Sequence, residues 1–372
     1  MKWLAYSIGF AFSIACAALV LGAIRAGLFI QDRAKAASGP DESSLEPFSQ
    51  SKRFLGIGDW KVAYVDQGNG DPIVLLHGCP FQGYEYSRII PILARHHGVV
   101  VPDLLELGDT VVRLDDDYRL PNEVKMVEGL MDRLGLESAS FICHDHGAAI
   151  CQLMMKDHPE KLRAVVLTNA EAYDLWPSAP ERLDVQLVVN PLTTPFFRLL
   201  FGSRVAQRWI YRIAVRNRAV LSNEVLAAFT RPNISTPERW LRLRRFLSWQ
   251  LDREHNLETM RAVDGMRCFR HPTLILWGQH DTNFGPVIAE RLAHDIPGTV
   301  RIEWLGNSAH LPMLCGAVIL MVEPHLFWKK FSGWHRYKPP RQTCNGRNLC
   351  IQPQSDLCGV RLYPDRPILD FV

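Results

Sequence analysis

From Lys61 to His310, short apolar runs alternate with longer amphipathic ones. "PIVLLHG" (Pro72–Gly78) is apolar along its strand length, and "GVVVPDLL", "SASFICHD", "RAVVLTNA" and "PTLILWGQHD" also read as buried strands. A strand with one wet face alternates apolar and polar residues, whereas a run apolar on both faces must be covered on both. Between these runs lie "SRIIPILARHH", "PNEVKMVEGLMDRLGL", "HGAAICQLMMKDHPEKL" and "GPVIAERLAHDI". They have helical spacing, and the second has a start signal at Pro121–Asn122 and a stop at Gly135. The pattern predicts an α/β fold built on a doubly wound, mostly parallel sheet.

The alternation breaks between about Tyr173 and Val263. This interval holds Trp176, Trp209, Trp240 and Trp249 and helix-like basic segments such as "PERWLRLRRFLSWQL", with no buried strand. It predicts a helical cap, residues 173–263, inserted between core segments 52–172 and 264–314. Such an insertion sits over the C-terminal edge of the sheet, where open α/β folds bind ligands. At the N-terminus, Trp3–Ile24 carries no charge over 22 residues. That length suits a single-pass transmembrane anchor within residues 1–30 better than a signal segment. The basic residues after it, Arg25, Arg33 and Lys35 against Lys2 before it, tilt the main domain toward the cytoplasmic side. Residues 31–51 read as a polar linker. Residues 315–372, interrupted by Pro324, read as an atypical tail.

Composition narrows the function classes. The net charge is +3 and no Lys/Arg block is interleaved with aromatics, so nucleic acid is not an expected partner. Nine cysteines are scattered without a C-x-x-C pair, which signals neither zinc nor dithiol chemistry. Cys143 and Cys151 fall in apolar surroundings and read as small core residues. No metal or cofactor site is expected; the pair His96–His97 reads as a helix C-terminal feature.

Three acidic or basic residues fall at the C-terminal ends of predicted strands. Asp145 ends "SASFICHD" and opens a helix, the layout of a nucleophile elbow. A helix N-terminus there would stabilise an ionised carboxylate. A capping aspartate would leave the same local pattern. Asp281 ends "PTLILWGQHD", and His310 follows the last strand in "EWLGNSAHLP". The order nucleophile, acid, histidine fits attack by Asp145, water activation by His310 and orientation of His310 by Asp281.

These motifs carry a resemblance. Across roughly Arg53 to Leu314 the chain resembles an α/β-hydrolase, on the branch with an aspartate nucleophile that includes epoxide hydrolases and haloalkane dehalogenases. "HGCP" (His77–Pro80) is similar to that branch's His-Gly-x-Pro loop, and "CHDHGA" to its elbow. "VPDLLELGDT" is similar to its next loop, with Glu106 where glycine is usual. No G-x-S-x-G occurs, so no serine stands at the elbow. The resemblance implies an alkyl ester on Asp145, formed from an epoxide or alkyl halide and hydrolysed by His310-activated water. It implies oxyanion donors at the backbone N–H groups of Cys79 and His146. It also implies a small apolar organic substrate, in a pocket lined by His77, Tyr173, Trp176 and Tyr211. The family's halide donors are absent, since His146 and Cys79 hold their positions, whereas Tyr173 and Tyr211 are candidates for an epoxide's proton donors. Ester or carbon–carbon bond hydrolysis, or a non-catalytic binding role, stand as the alternatives.

Overall fold

The computed structural model describes residues 45–177 and 179–314. Among the described residues, eight strands form one sheet: β1 (Arg53–Ile57), β2 (Trp60–Gln67), β3 (Pro72–Leu76), β4 (Gly98–Pro102), β5 (Ala139–His144), β6 (Leu162–Ala170), β7 (Thr273–Gly278) and β8 (Thr299–Leu305). Their spatial order is β1-β2-β4-β3-β5-β6-β7-β8. β1 and β2 pair antiparallel, β2 is antiparallel to β4, and every pairing from β4 to β8 is parallel.

Alternate residues along the central strands feed two apolar layers. Val74, Leu76, Phe141, Cys143, Val165, Leu167, Ile275 and Trp277 face one side. Ile73, Leu75, Ile142, Val166, Leu274 and Leu276 face the other. Both faces are covered, which is why these strands are apolar throughout. The chain leaves β3 toward β4 on one side and returns to β5 on the other. This reversal opens a crevice at the C-terminal ends of β3 and β5.

Among the described residues, the chain between β6 and β7 contains helices and no strand: Ala179–Val189, Thr194–Gly202, Arg204–Tyr211, Asn223–Ile234, Pro237–Gln250 and Arg253–Cys268. Side chains of Ser203, Ser222 and Thr236 cap three of them by accepting the N–H of Ala206, Val225 and Arg239. The last helix packs on Asp145–Asp157, with Ala262, Val263 and Met266 in the core. Part of the expected linker is also ordered: Leu45–Ser51 is a helix whose Phe48 is buried edge-on against Tyr84 at 5.2 Å.

The single-pass membrane anchor expected at Trp3–Ile24, and the membrane address drawn from it, are corrected. That stretch lies outside the described residues, and among the described helices none is long and apolar enough to cross a membrane. The longest, Arg253–Cys268, has 16 residues. That is about 24 Å of helix against a hydrocarbon core of about 30 Å. Residues 315–372 also lie outside the described part of the chain.

Candidate active site

Asp145 stands at the junction of β5 and the helix Asp145–Asp157, with φ +50°. A side chain with positive φ is uncommon and is held only by its surroundings. Two glycines let the backbone close around it. A Cβ on Gly147 would come within 2.4 Å of the Leu76 carbonyl oxygen, and one on Gly78 within 2.6 Å of Asp145 Cβ. The Gly147 N–H donates to the His77 carbonyl at 3.1 Å. The elbow after β5 is thereby pressed against the loop after β3.

Asp145, Asp281 and His310 come together. His310 Nε2 is 3.2 Å from Asp145 Oδ2, and its Nδ1 is 3.0 Å from Asp281 Oδ2. All three residues are buried. Asp145 Oδ1 has no hydrogen-bond partner. Burial opposes a charged imidazole at His310, but Asp281 and Asp145 outweigh it and raise the pKa well above the usual value. Burial likewise works against an ionised Asp281, and His310, Asn169 and the Asn283 N–H together hold its pKa below the ordinary range. Asn169 Nδ2 donates to Asp281 Oδ2 at 2.6 Å, and the Asn283 N–H donates to Oδ1 at 2.8 Å. Sequence reasoning missed Asn169. The available signal was its place near the C-terminal end of a buried strand, level with the other site residues.

The expected oxyanion positions flank this group. His146 follows Asp145, and Cys79 lies in the loop after β3 that Gly78 presses on the elbow. Burial, then the nearby carboxylates of Asp145, Glu106 and Glu171, push the Cys79 thiol well up. It stays an S–H group rather than a nucleophilic thiolate. The His146 ring is fixed from three sides. Glu171 Oε2 lies 3.0 Å from Nδ1, Gln250 Nε2 lies 3.4 Å from the same atom, and Phe246 packs edge-on at 5.0 Å.

The four expected pocket residues divide. Tyr211 is buried beside Phe81 and Phe229, with ring centroids at 6.2 and 5.8 Å, and its hydroxyl has no partner. Burial, with Cys79 nearby, raises its pKa, so the O–H stays protonated. Phe81 is in turn 6.4 Å from the His310 ring. Trp176 donates Nε1–H to Gln250 Oε1 at 2.7 Å, and its ring lies 5.1 Å from Phe284, which is 5.3 Å from His310. Tyr173 and His77 are placed otherwise. The Tyr173 hydroxyl is engaged by Asp295 at 3.1 Å, and Arg291 covers its ring at 3.7 Å. His77 has both ring nitrogens taken by backbone: Nε2 accepts the Leu104 N–H at 3.0 Å and Nδ1 meets the Gly78 carbonyl at 2.8 Å. Its ring braces the loop and leaves no nitrogen for a substrate. Glu106 has φ +58° and two buried carboxylate oxygens without a partner. Burial and the neighbouring Glu123 push its pKa well up, against Arg242.

Known proteins give this geometry its context. A family described as alpha/beta hydrolase fold matches residues 71–314. A cis-3-alkyl-4-alkyloxetan-2-one decarboxylase of Shewanella oneidensis is 28% identical over 247 residues, 65% of this chain and 76% of its own length. Haloalkane dehalogenase 2 of Mycobacterium tuberculosis is 27% identical over 281 residues, 72% of this chain and 91% of its own length. A haloalkane dehalogenase structure from Bradyrhizobium elkani superposes with a TM-score of 0.65 at 18% identity, covering 76% of this chain and 99% of that one. The chain is a hydrolase with dehalogenase-like relatives, and it belongs to the α/β-hydrolase fold family.

Proposed function

We propose that the chain hydrolyses small organic electrophiles with a leaving group on a saturated carbon, through an ester of Asp145. One observation carries this reading: His310 bridges Asp145 Oδ2 and Asp281 Oδ2 while Asp145 Oδ1 is left without a partner. Oδ1 would attack the substrate carbon as its bond to halide or ring oxygen breaks. Water would then lose a proton to His310 Nε2 and attack Asp145 Cγ. The N–H groups of Cys79 and His146 would hold the tetrahedral oxyanion. Collapse would release an alkoxide, which the imidazolium protonates, and leave Asp145 as a carboxylic acid. Its proton would pass to solvent after halide release, or back to the phenolate that opened an epoxide ring, restoring the carboxylate.

Forming the ester also prepares the base. Asp145 is one of the groups that raise the pKa of His310. An ester carries no charge, so alkylation removes that contribution when His310 must accept a proton. The relatives suit this class. Alkyl halides carry a leaving group on saturated carbon, and an oxetan-2-one carries one within a strained ring. Within the class, two observations favour an epoxide. The buried Glu171 carboxylate stands 3.0 Å from the His146 ring, where a halide would need a neutralising donor. The unpartnered Tyr211 hydroxyl is suited to protonate an opening ring oxygen.

The test is His310→Gln, incubated with a panel of epoxides and alkyl halides and read by intact mass and peptide mapping. An adduct on Asp145 is expected, and its mass names the electrophile used. No adduct from any member, with the variant folded, would sink the reading.

A further inference from the structure

Beside the Asp145–His310–Asp281 line lies a second carboxylate–imidazole pair that the proposed steps do not use. His144 ends β5, and Glu85 lies in the 3-10 turn Gly83–Tyr86. Both are fully buried. His144 Nε2 is 2.8 Å from the His310 carbonyl oxygen, and the two ring centroids are 4.8 Å apart. A carbonyl oxygen only accepts, so Nε2 carries a hydrogen and donates it. On the other side of the ring, Nδ1 stands 3.0 Å from Glu85 Oε1. The two atoms are in close contact but are not aligned as a hydrogen bond. The carboxyl group flanks the ring on its Nδ1 side while the Nε2–H is directed at the His310 carbonyl. Glu85 Oε2 also accepts the Gly78 N–H at 3.3 Å, one residue before Cys79. One buried carboxyl group therefore touches the loop after β3 and, through His144, the backbone of the base.

We propose that Glu85 and His144 are positioning residues that clamp the His310 backbone to the Gly78–Cys79 loop. The inference rests on the alkyl-enzyme reading and assigns the pair to one of its two steps. Attack by Asp145 on the alkyl carbon uses neither a base at His310 nor the Cys79 N–H. Hydrolysis of the ester uses both. Loosening the clamp therefore slows the second step and spares the first.

The full chain as wild type, Glu85→Leu, Glu85→Gln and His310→Gln is mixed with bromohexane or epoxyhexane. Rapid quenching and intact mass spectrometry follow the gain and loss of the adduct on Asp145. Glu85→Leu is expected to gain the adduct at the wild-type rate and lose it about 10- to 100-fold more slowly, the scale of a small misplacement of reacting groups. Glu85→Gln is expected to recover hydrolysis to within about threefold, because its amide can donate to Nδ1 while its carbonyl accepts from Gly78. If Glu85→Leu slows both steps equally, or neither, the clamp is overturned; so it is if Glu85→Gln is as slow as Glu85→Leu. Should Glu85→Leu fail to fold, His144→Phe decides: it keeps a ring of similar size and removes the donor to the His310 carbonyl. Adduct gain at the wild-type rate with roughly tenfold slower loss is expected, and slowing of both steps or of neither overturns the clamp. No adduct in His310→Gln overturns the alkyl-enzyme reading and the clamp with it. An adduct there, without a step-selective loss in Glu85→Leu, overturns the clamp alone.

Discussion

A methyl group on Gly78 would sit 2.6 Å from the Cβ of Asp145 and 3.0 Å from its Oδ2. Neither neighbour has room to yield, because the loop after β3 and the elbow are tied by the Gly147 N–H to the His77 carbonyl. Gly78→Ala should therefore move the carboxylate, at a stability cost of about 1–3 kcal/mol for overpacking. Turnover should fall about 100-fold, since small misplacements near the reacting atoms cost that much. Turnover of the panel's best substrate, measured beside a urea melt, separates the two effects. A stable Gly78→Ala with unchanged turnover would show that Asp145 is not placed by this contact. The same scale explains which site residues were legible. Asp145, Asp281 and His310 each follow the C-terminal end of a parallel strand, so topology alone brings them to one edge. The use of Tyr173 was not legible, because its partner Asp295 lies 122 residues away and no local pattern joins them.

The helix Asp145–Asp157 is buried almost all round, with Ala148, Ala149, Ile150, Leu153 and Met154 in the core. It carries the elbow, so whatever packs on it also positions Asp145. Arg253–Cys268 approaches it at Gly265, where a Cβ would lie 2.3 Å from Lys156 Cα. Gly265→Ala should push the two helices apart and cost about 1–3 kcal/mol, again by overpacking. In an exposed helix the same change should instead stabilise by about 0.5–1 kcal/mol, because alanine is the better helix former. The sign of the shift in a denaturant melt thus reports whether these helices touch at that point. Sheet and helical insertion were legible in the sequence because doubly apolar runs have no stable place except inside a covered sheet. The helix Leu45–Ser51 was not legible. Phe48 is its buried residue, and the Tyr84 ring it meets belongs to a later turn.

Across the whole molecule, the site ties stability to pH, and the proposed mechanism makes activity run in the opposite direction. Burial disfavours the His310 imidazolium, but Asp281 and Asp145 prevail and raise its pKa well above 6.5. A raised pKa means that the folded state binds this proton more tightly than the unfolded chain. The resulting stability is fully present below about pH 6.5, the unfolded value, and is lost as pH rises through the folded value. Asp281 acts the other way. Its lowered pKa contributes stability above about pH 3.9, lost as pH falls through the folded value. Between these limits both contributions are complete. Above them, each unit of pH removes up to about 1.4 kcal/mol while only the folded His310 holds its proton. In the proposed mechanism, however, hydrolysis of the ester needs the neutral base, so turnover should rise over the interval in which stability falls. Thermal melts of wild type and His310→Gln from pH 6 to pH 9 check the first half: any wild-type advantage should shrink as pH rises. Turnover against pH checks the second half. Because the proposed ester would remove the Asp145 charge, turnover should rise at a lower pH than the one at which the free protein loses its His310 stabilisation. A wild-type advantage independent of pH would mean that His310 holds no extra proton in the folded state.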